Sequence, residues 1–170
     1  MNGSGVTIRL LTAADAAAFK AFRLQSLRDA PDAFHSLPEE WDLPLETIVQ
    51  RIEGNRIFGA FDGAGTFVGI AMLTLTARAI KQMRHKAEIW AVYVDPAARG
   101  HGLARRLMER CIAEARALGF EAVVLTASAH LSHVVALYES LDFAIYGTER
   151  GMVKLVDGRV IDDHLMELRL

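Results

Sequence analysis

The chain has 170 residues, is 52% hydrophobic and 24% charged, and carries a formal net charge of -2. That length fits one domain, residues 1–170, whose core needs neither disulfides nor metal. The near-neutral charge argues against a nucleic-acid binder, the composition argues against disorder, and no apolar run approaches the ~18 residues of a membrane span.

Residues 6–11, VTIRLL, are short and β-branched, a first strand, and Thr12 with Asp15 marks a helix start. Residues 13–28 carry Ala17, Phe22, Leu24 and Leu27 on a helical pattern, which ends because Pro31 disfavours α conformation at Ala30. Pro38 and Pro44 bracket an irregular stretch, and residues 45–53 read as a second short helix. Residues 56–77 form a hairpin joined around Asp62-Gly63, a pair that tolerates positive φ. A third strand over 87–95 follows without a helical crossover, so the sheet begins as an antiparallel meander. After a glycine-spaced turn, Leu103, Leu107, Cys111, Ala115 and Leu118 repeat at three-to-four spacing, with Arg105, Arg106, Glu109 and Arg110 outward. Residues 121–127 are a buried-type strand, which predicts a right-handed parallel crossover. Val134, Leu137, Tyr138 and Leu141 line the last helix, and strands over 143–156 and 159–169 close the chain around Asp157-Gly158.

The single cysteine, Cys111, falls inside the apolar stripe and reads as a core residue, which fits a reducing compartment. The N-terminal MNGSGVTIRL shows no basic segment followed by an apolar one, so no secretory leader is expected and the location expected is cytoplasmic. His130 and His133 lie three apart, but no third ligand follows from the pattern, and zinc needs three or four; no metal is expected.

The stretch VYVDPAARGHGLARRL places Arg99, Gly100, Gly102 and Ala104 where a strand stops and a helix starts. Such a junction gathers unpaired N–H groups and the positive end of the helix dipole, and glycine lets phosphate oxygens approach the backbone. A P-loop needs Gly-Lys-Ser/Thr, absent here, and a dinucleotide fingerprint started at Gly100 is broken by Arg105. The run Arg99-Gly100-His101-Gly102-Leu103-Ala104, with VYVDP before it and LYESLDF later, closely resembles the acetyl-CoA-binding motif and element order of the GNAT family of N-acetyltransferases. The resemblance covers nearly the whole chain. It implies the acyl-CoA N-acyltransferase fold: α/β of the α+β type, with a mixed, largely antiparallel central sheet of about seven strands flanked by about four helices.

The resemblance further implies acetyl-CoA as cosubstrate. The backbone of Val92, Tyr93 and Val94 pairs with the pantetheine amides, the N–H groups of Gly100, His101, Gly102, Leu103 and Ala104 hold the pyrophosphate beside Arg99, and the thioester lies where the fourth and fifth strands splay apart. Tyr138, matching the tyrosine of the family's LY motif, is implied as the acid that protonates the departing thiolate. Glu88, at the offset of the glutamate base in the family's histone-modifying members, is the candidate base. Strand alternation is expected to place it on one face with Trp90, Val92 and Val94. Two positions depart from the family. Leu131 stands where many members have Asn, with Ser132 as a polar neighbour, and Asp142 replaces the glycine of the family's GF pair, a left-handed position that Asp tolerates.

The segment between the first two helices carries Asp29, Asp32, Glu39, Glu40, Asp42 and Glu46, interleaved with Phe34, His35 and Trp41. It is expected to form an acidic, aromatic rim that attracts a cationic amine. The function expected is acetyl transfer from acetyl-CoA to a primary amine, on a small molecule or a protein, by direct attack in a ternary complex. No nucleic-acid or membrane partner is expected, and the family's dimers make a homodimer an open outcome. The departures at Leu131 and Asp142 leave a non-catalytic acyl-CoA-binding module or sensor as the alternative.

Overall fold

The computed structural model describes residues 5–75 and 81–170. The start of the segment read for a leader, residues 1–4, and the end of the expected second hairpin strand, Thr76 and Ala77, lie outside the described residues. Among the described residues, seven strands form one sheet: β1 (Thr7–Leu10), β2 (Arg56–Phe61), β3 (Phe67–Thr74), β4 (Lys86–Val94), β5 (Ala122–Ser128), β6 (Ala144–Lys154) and β7 (Val160–Arg169). Their order is β1-β2-β3-β4-β5-β7-β6, and only the β4–β5 pair is parallel. Four α-helices flank them: α1 (Ala16–Asp29), α2 (Leu45–Gly54), α3 (Leu103–Ala117) and α4 (Ser132–Glu139).

Each face of the sheet has its own core. On one, Phe19, Phe22 and Leu27 of α1 and Ile48 and Ile52 of α2 enclose Trp41 against Ile57, Ile70 and Met72. On the other, Leu103, Leu107, Cys111 and Ala115 of α3 pack on Phe58, Ala71, Leu73 and Ile89 as their spacing predicts, joined by Met108 and Ile112. Leu118 departs from the expected stripe: it lies past the helix end and is exposed. The core residues of α4 are Val135 and Tyr138, with Val134 and Leu137 only half-buried. The β2–β3 turn also differs in detail. Asp62 accepts hydrogen bonds from the N–H groups of Ala64 and Thr66, and the positive φ falls on Gly65 rather than at Asp62-Gly63.

Local capping follows the sequence closely. Asp15 accepts from the Thr12 N–H at 2.8 Å and pairs with both terminal nitrogens of Arg9. After α4, Asp142 takes the left-handed conformation, φ 66°, expected where it replaces glycine.

The feature that positions the site is Ala91, at φ 54° in the middle of β4. The β3 register passes from Met72↔Trp90 to Ile70↔Tyr93, so two residues of β4 oppose one of β3. A bulge of this kind shifts the alternation by one. Ala87, Ile89, Val92 and Val94 therefore face α3, while Trp90 and Tyr93 face α1 and α2. The expectation that Glu88 shares one face with Trp90, Val92 and Val94 fails for this reason: beyond Ala91 the valines lie on the opposite face.

A non-glycine residue at positive φ costs about 1–3 kcal/mol, and β-branching raises the cost. Ala91→Gly is expected to unfold in urea within about 1 kcal/mol of the parent. Ala91→Val is expected to lose about 2 kcal/mol or more. Equal stability of the two variants would mean that the bulge is not held at this residue.

Candidate active site

β4 and β5 pair only from Lys86↔Ala122 to Glu88↔Val124. Past Glu88 the strands diverge, and β5 continues along β7 as far as Ser128↔Asp163. The gap holds a cavity of about 410 Å³ lined by Glu88, Trp90, Val92, Leu131 and Tyr138, together with Arg23, Phe34, His35 and Ser128. A second depression beside it is shared by Trp90, Trp41, Glu40 and Arg51.

At the far end of β4, a cleft of about 260 Å³ is lined by Val94, Arg99, Gly100, Gly102, Leu103, Ala104, Arg105 and Leu137. Gly100 and Gly102 have φ of +84° and +69°, and a Cβ on either would meet nothing within 4 Å. The left-handed turn thus faces open space. The first backbone bond of α3 runs from Arg106 N–H to Gly102 C=O, so the N–H groups of Leu103, Ala104 and Arg105 have no intrahelical acceptor. Arg99 donates from Nε to Val94 C=O at 3.0 Å, which anchors its guanidinium across the turn. This donor set fits a diphosphate: free N–H groups, a helix dipole and fixed cations on an open backbone.

The two hollows are lined by neighbouring residues of β4 and α4. Val92 lines the cavity and Val94 the cleft; Tyr138 lines the cavity and Leu137 the cleft. Not every residue expected at the site lines a hollow. His101 is exposed and outside the cleft lining, and the Tyr93 side chain turns to the α1 face, where its hydroxyl donates to Asp29 at 2.7 Å. Ser132 is exposed and outside both linings, whereas the apolar Leu131 lines the cavity.

Tyr138 is 7% exposed, with its ring 6.2 Å from that of Phe143, and no described residue hydrogen-bonds its hydroxyl. Burial pushes the phenol pKa above its ordinary value, so it keeps its proton at neutral pH. Glu88 is half-buried and close enough to His35 to favour the imidazolium. Cys111 is fully buried and its thiol is pushed up by desolvation, as a core residue and not a nucleophile.

Ser128 and Arg23 escaped the sequence reading, which named His35 only as part of the rim. His35 Nε2 lies 2.6 Å from Asp163 Oδ2, and Asp163 is completely buried. Ser128 Oγ sits 3.2 Å from Asp32 C=O and 3.3 Å from Asp163 Oδ1, donating between them. Arg23 is 2% exposed. Desolvation, with the Arg51 charge second, lowers its guanidinium to about 10, which leaves it cationic at neutral pH. A buried Asp on a late strand and a lone Arg on an apolar helix carry no motif.

The acidic rim is a correction. Asp32 pairs with Arg159 at 2.8 and 3.1 Å, Asp42 pairs with Lys20 at 2.8 Å, Asp29 accepts from Tyr93, and Glu40 accepts from the Leu37 N–H at 2.7 Å. Four of the segment's six acids are thus held by partners, one of them distant in sequence. What it presents to the cavity is Ala33, Phe34, His35 and Ser36.

A family model described as "Acetyltransferase (GNAT) family" matches residues 11–143. The chain belongs to the GNAT acetyltransferase family. The sheet and helices superpose on a GNAT-family acetyltransferase from Streptococcus pneumoniae with a TM-score of 0.86 at 24% identity, covering 97% of this chain and 99% of that one; this likeness is one of fold. The yncA protein of Salmonella typhimurium, solved with its cofactor acetyl-CoA, matches at a TM-score of 0.82 and 26% identity over 98% of this chain and 95% of that one. In sequence, the mycothiol acetyltransferase of Propionibacterium freudenreichii subsp. shermanii is 31% identical over 141 residues, or 83% of this chain and 41% of that protein. This family member spans about two fifths of the length of the mycothiol acetyltransferases it matches.

The His35–Asp163 bond gives a pH signature. Asp163, with a smaller contribution from Glu88, raises the His35 pKa above its ordinary 6.5 against the opposing effect of burial. A raised folded-state value stabilises below the unfolded pKa and loses that stabilisation as pH rises through the folded one. The stability gap between the parent and His35→Gln should therefore be widest near about pH 6 and shrink toward about pH 9, read as Tm. A gap that grows with pH would contradict a charged His35–Asp163 pair.

Proposed function

We propose that this protein transfers the acetyl group of acetyl-CoA to a primary amine held with it in a ternary complex. The observation that carries the reading is that one strand and one helix, β4 and α4, line both hollows. The phosphate-suited turn at Gly100–Ala104 and the cavity holding Glu88 and Tyr138 lie along the same unpaired edge of β4. Acetyl-CoA supplies an activated acetyl thioester when bound. In this reading Arg99 and the N–H groups from Gly100 to Ala104 hold its diphosphate, and the backbone of Val92, Tyr93 and Val94 offers strand-type partners to its amide arm.

Within the cavity Glu88 takes a proton from the amine. His35, the other titratable group beside it, is biased toward its protonated form by Asp163 and is the poorer acceptor. Tyr138 holds a proton on Oη that burial keeps in place, and it delivers that proton to the leaving thiolate. Holding both reactants in one cavity supplies much of the acceleration independently of either group. A cytoplasmic location belongs to the same reading and rests on the single, buried cysteine.

Acetyl-CoA at about 100 times its dissociation constant is expected to raise Tm by about 5–10 °C, and Gly102→Trp, which fills the open turn, is expected to abolish the shift. No shift in the parent would end the reading. For a transferred amine, Tyr138→Phe should lower kcat by about 10²-fold or more while the acetyl-CoA shift remains; unchanged kcat would take Tyr138 out of the proton path.

A further inference from the structure

A guanidinium is seldom buried without an anion, and Arg23 is. It projects from α1 to the cavity between β4 and β5, yet only 2% of the residue is exposed. Its one hydrogen bond among the described residues runs from Nη1 to Ser26 Oγ at 3.2 Å, and its buried Nε has no acceptor. Two rings take up part of the charge, Phe34 at 4.5 Å and Trp41 at 5.1 Å. Neither supplies the in-plane oxygen acceptors that fit a guanidinium fork. Arg51 lies over the same Trp41 ring at 4.3 Å, adding a second cation where a carboxylate would be expected.

Among the described residues no carboxylate hydrogen-bonds Arg23, and four in this region have other partners. Asp163 is held by His35 and Ser128, Asp32 by Arg159, Asp29 by Tyr93, and Glu40 by the Leu37 N–H. The charged group that shifts the Arg23 guanidinium is Arg51, and it repels. Burying a cation against like charge is unfavourable unless an anion arrives to match it. The cavity is where one can arrive.

We propose that Arg23 is a carboxylate subsite, so that the amine acetylated here is an amino acid rather than a carboxylate-free amine. This rests on the acetyl-transfer reading above. The planar fork of Arg23 receives the carboxylate. Glu88, also in the lining, then meets the amine. The assignment reverses the expectation of a cation-attracting rim: the group that selects the acceptor is a buried cation.

The chain has two tryptophans, and both stand at this site, Trp41 against Arg23 and Trp90 in the cavity lining. Intrinsic fluorescence therefore reports occupancy without any turnover. The test titrates the full chain, saturated with CoA, with each proteinogenic L-amino acid, its C-terminal amide and its decarboxylated amine. At least one amino acid should bind ten or more times more tightly than its amide and its amine. Arg23→Met should erase that preference, and Arg23→Lys should retain part of it, with the thermal response to CoA intact in both. Amides or amines that bind as well as the acids, the absence of any amino-acid response, or a preference that survives in folded Arg23→Met would each overturn the assignment. If Arg23→Met does not fold, the acid-against-amide comparison on the parent decides alone. The CoA response and thiol release from acetyl-CoA are read separately, so failure of the transfer reading is distinguishable from failure of the subsite.

Discussion

One residue off strand geometry, Ala91, lets β4 serve two layers at once. Without the extra residue, Trp90 and Val92 would share a face, and the strand could not place aromatic rings under α1 and valines under α3 in the order seen. With it, Glu88 and Trp90 border the cavity between β4 and β5, while Val92 and Val94 lead toward the glycine turn. The same strand also loses its neighbour: β4–β5 pairing stops at Glu88↔Val124. Backbone groups on an interior edge need partners, and those past Glu88 suit a strand-like ligand. Fold and cosubstrate reading meet at that edge.

The parting of β4 and β5 requires that β5 be held elsewhere. It pairs with β7 over its whole length, and the Lys86–Glu167 ion pair joins the two wings at the base, where they still pair. The open end is bridged by the segment after α1. His35 reaches Asp163, the Asp32 carbonyl accepts from Ser128, and the Asp32 carboxylate takes the Arg159 guanidinium. The one exposed ion pair among these contacts, Asp32–Arg159, adds little by itself. The geometric effect of the contacts together is larger: they fix Phe34 and His35 over the gap, and Phe34 in turn meets Arg23 and Tyr93.

The architecture was legible because local signals agree with it. The Thr12–Asp15 start, the α3 stripe and the glycine turn each encode a local conformation, and Asp142 adopts the left-handed geometry its position demands. The parity error at Val92 and Val94 has a specific origin. Alanine at positive φ has no signature, since nothing about the side chain favours it there and the β3 strand enforces it from outside. The acid-rich segment was misread for a related reason. Counting charges along residues 29–46 ignores partners far away in sequence; Arg159 is 127 residues from Asp32. The glycine turn is a local motif and was readable, and the resemblance implied the parting of β4 and β5 beside Glu88, Val92 and Tyr138; the cavity's walls from α1 and β5, with Arg23 and Ser128, were not readable.

Arg23 shows why such a residue escapes a reading based on stability. Along α1 it occupies an inward position between Phe22 and Ser26, where an apolar side chain would cover the same surface with less desolvation cost. Cation–π contacts with Phe34 and Trp41 reduce that cost but leave Nε unsatisfied. Local choices that oppose folding concentrate where a protein binds or reacts. Three other polar members of the lining follow the opposite pattern: His35 and Ser128 are engaged with Asp163, and Trp90 donates to Thr74. Beside neighbours satisfied in this way, an incompletely matched cation is informative, because it marks a part of the site that the protein alone does not complete.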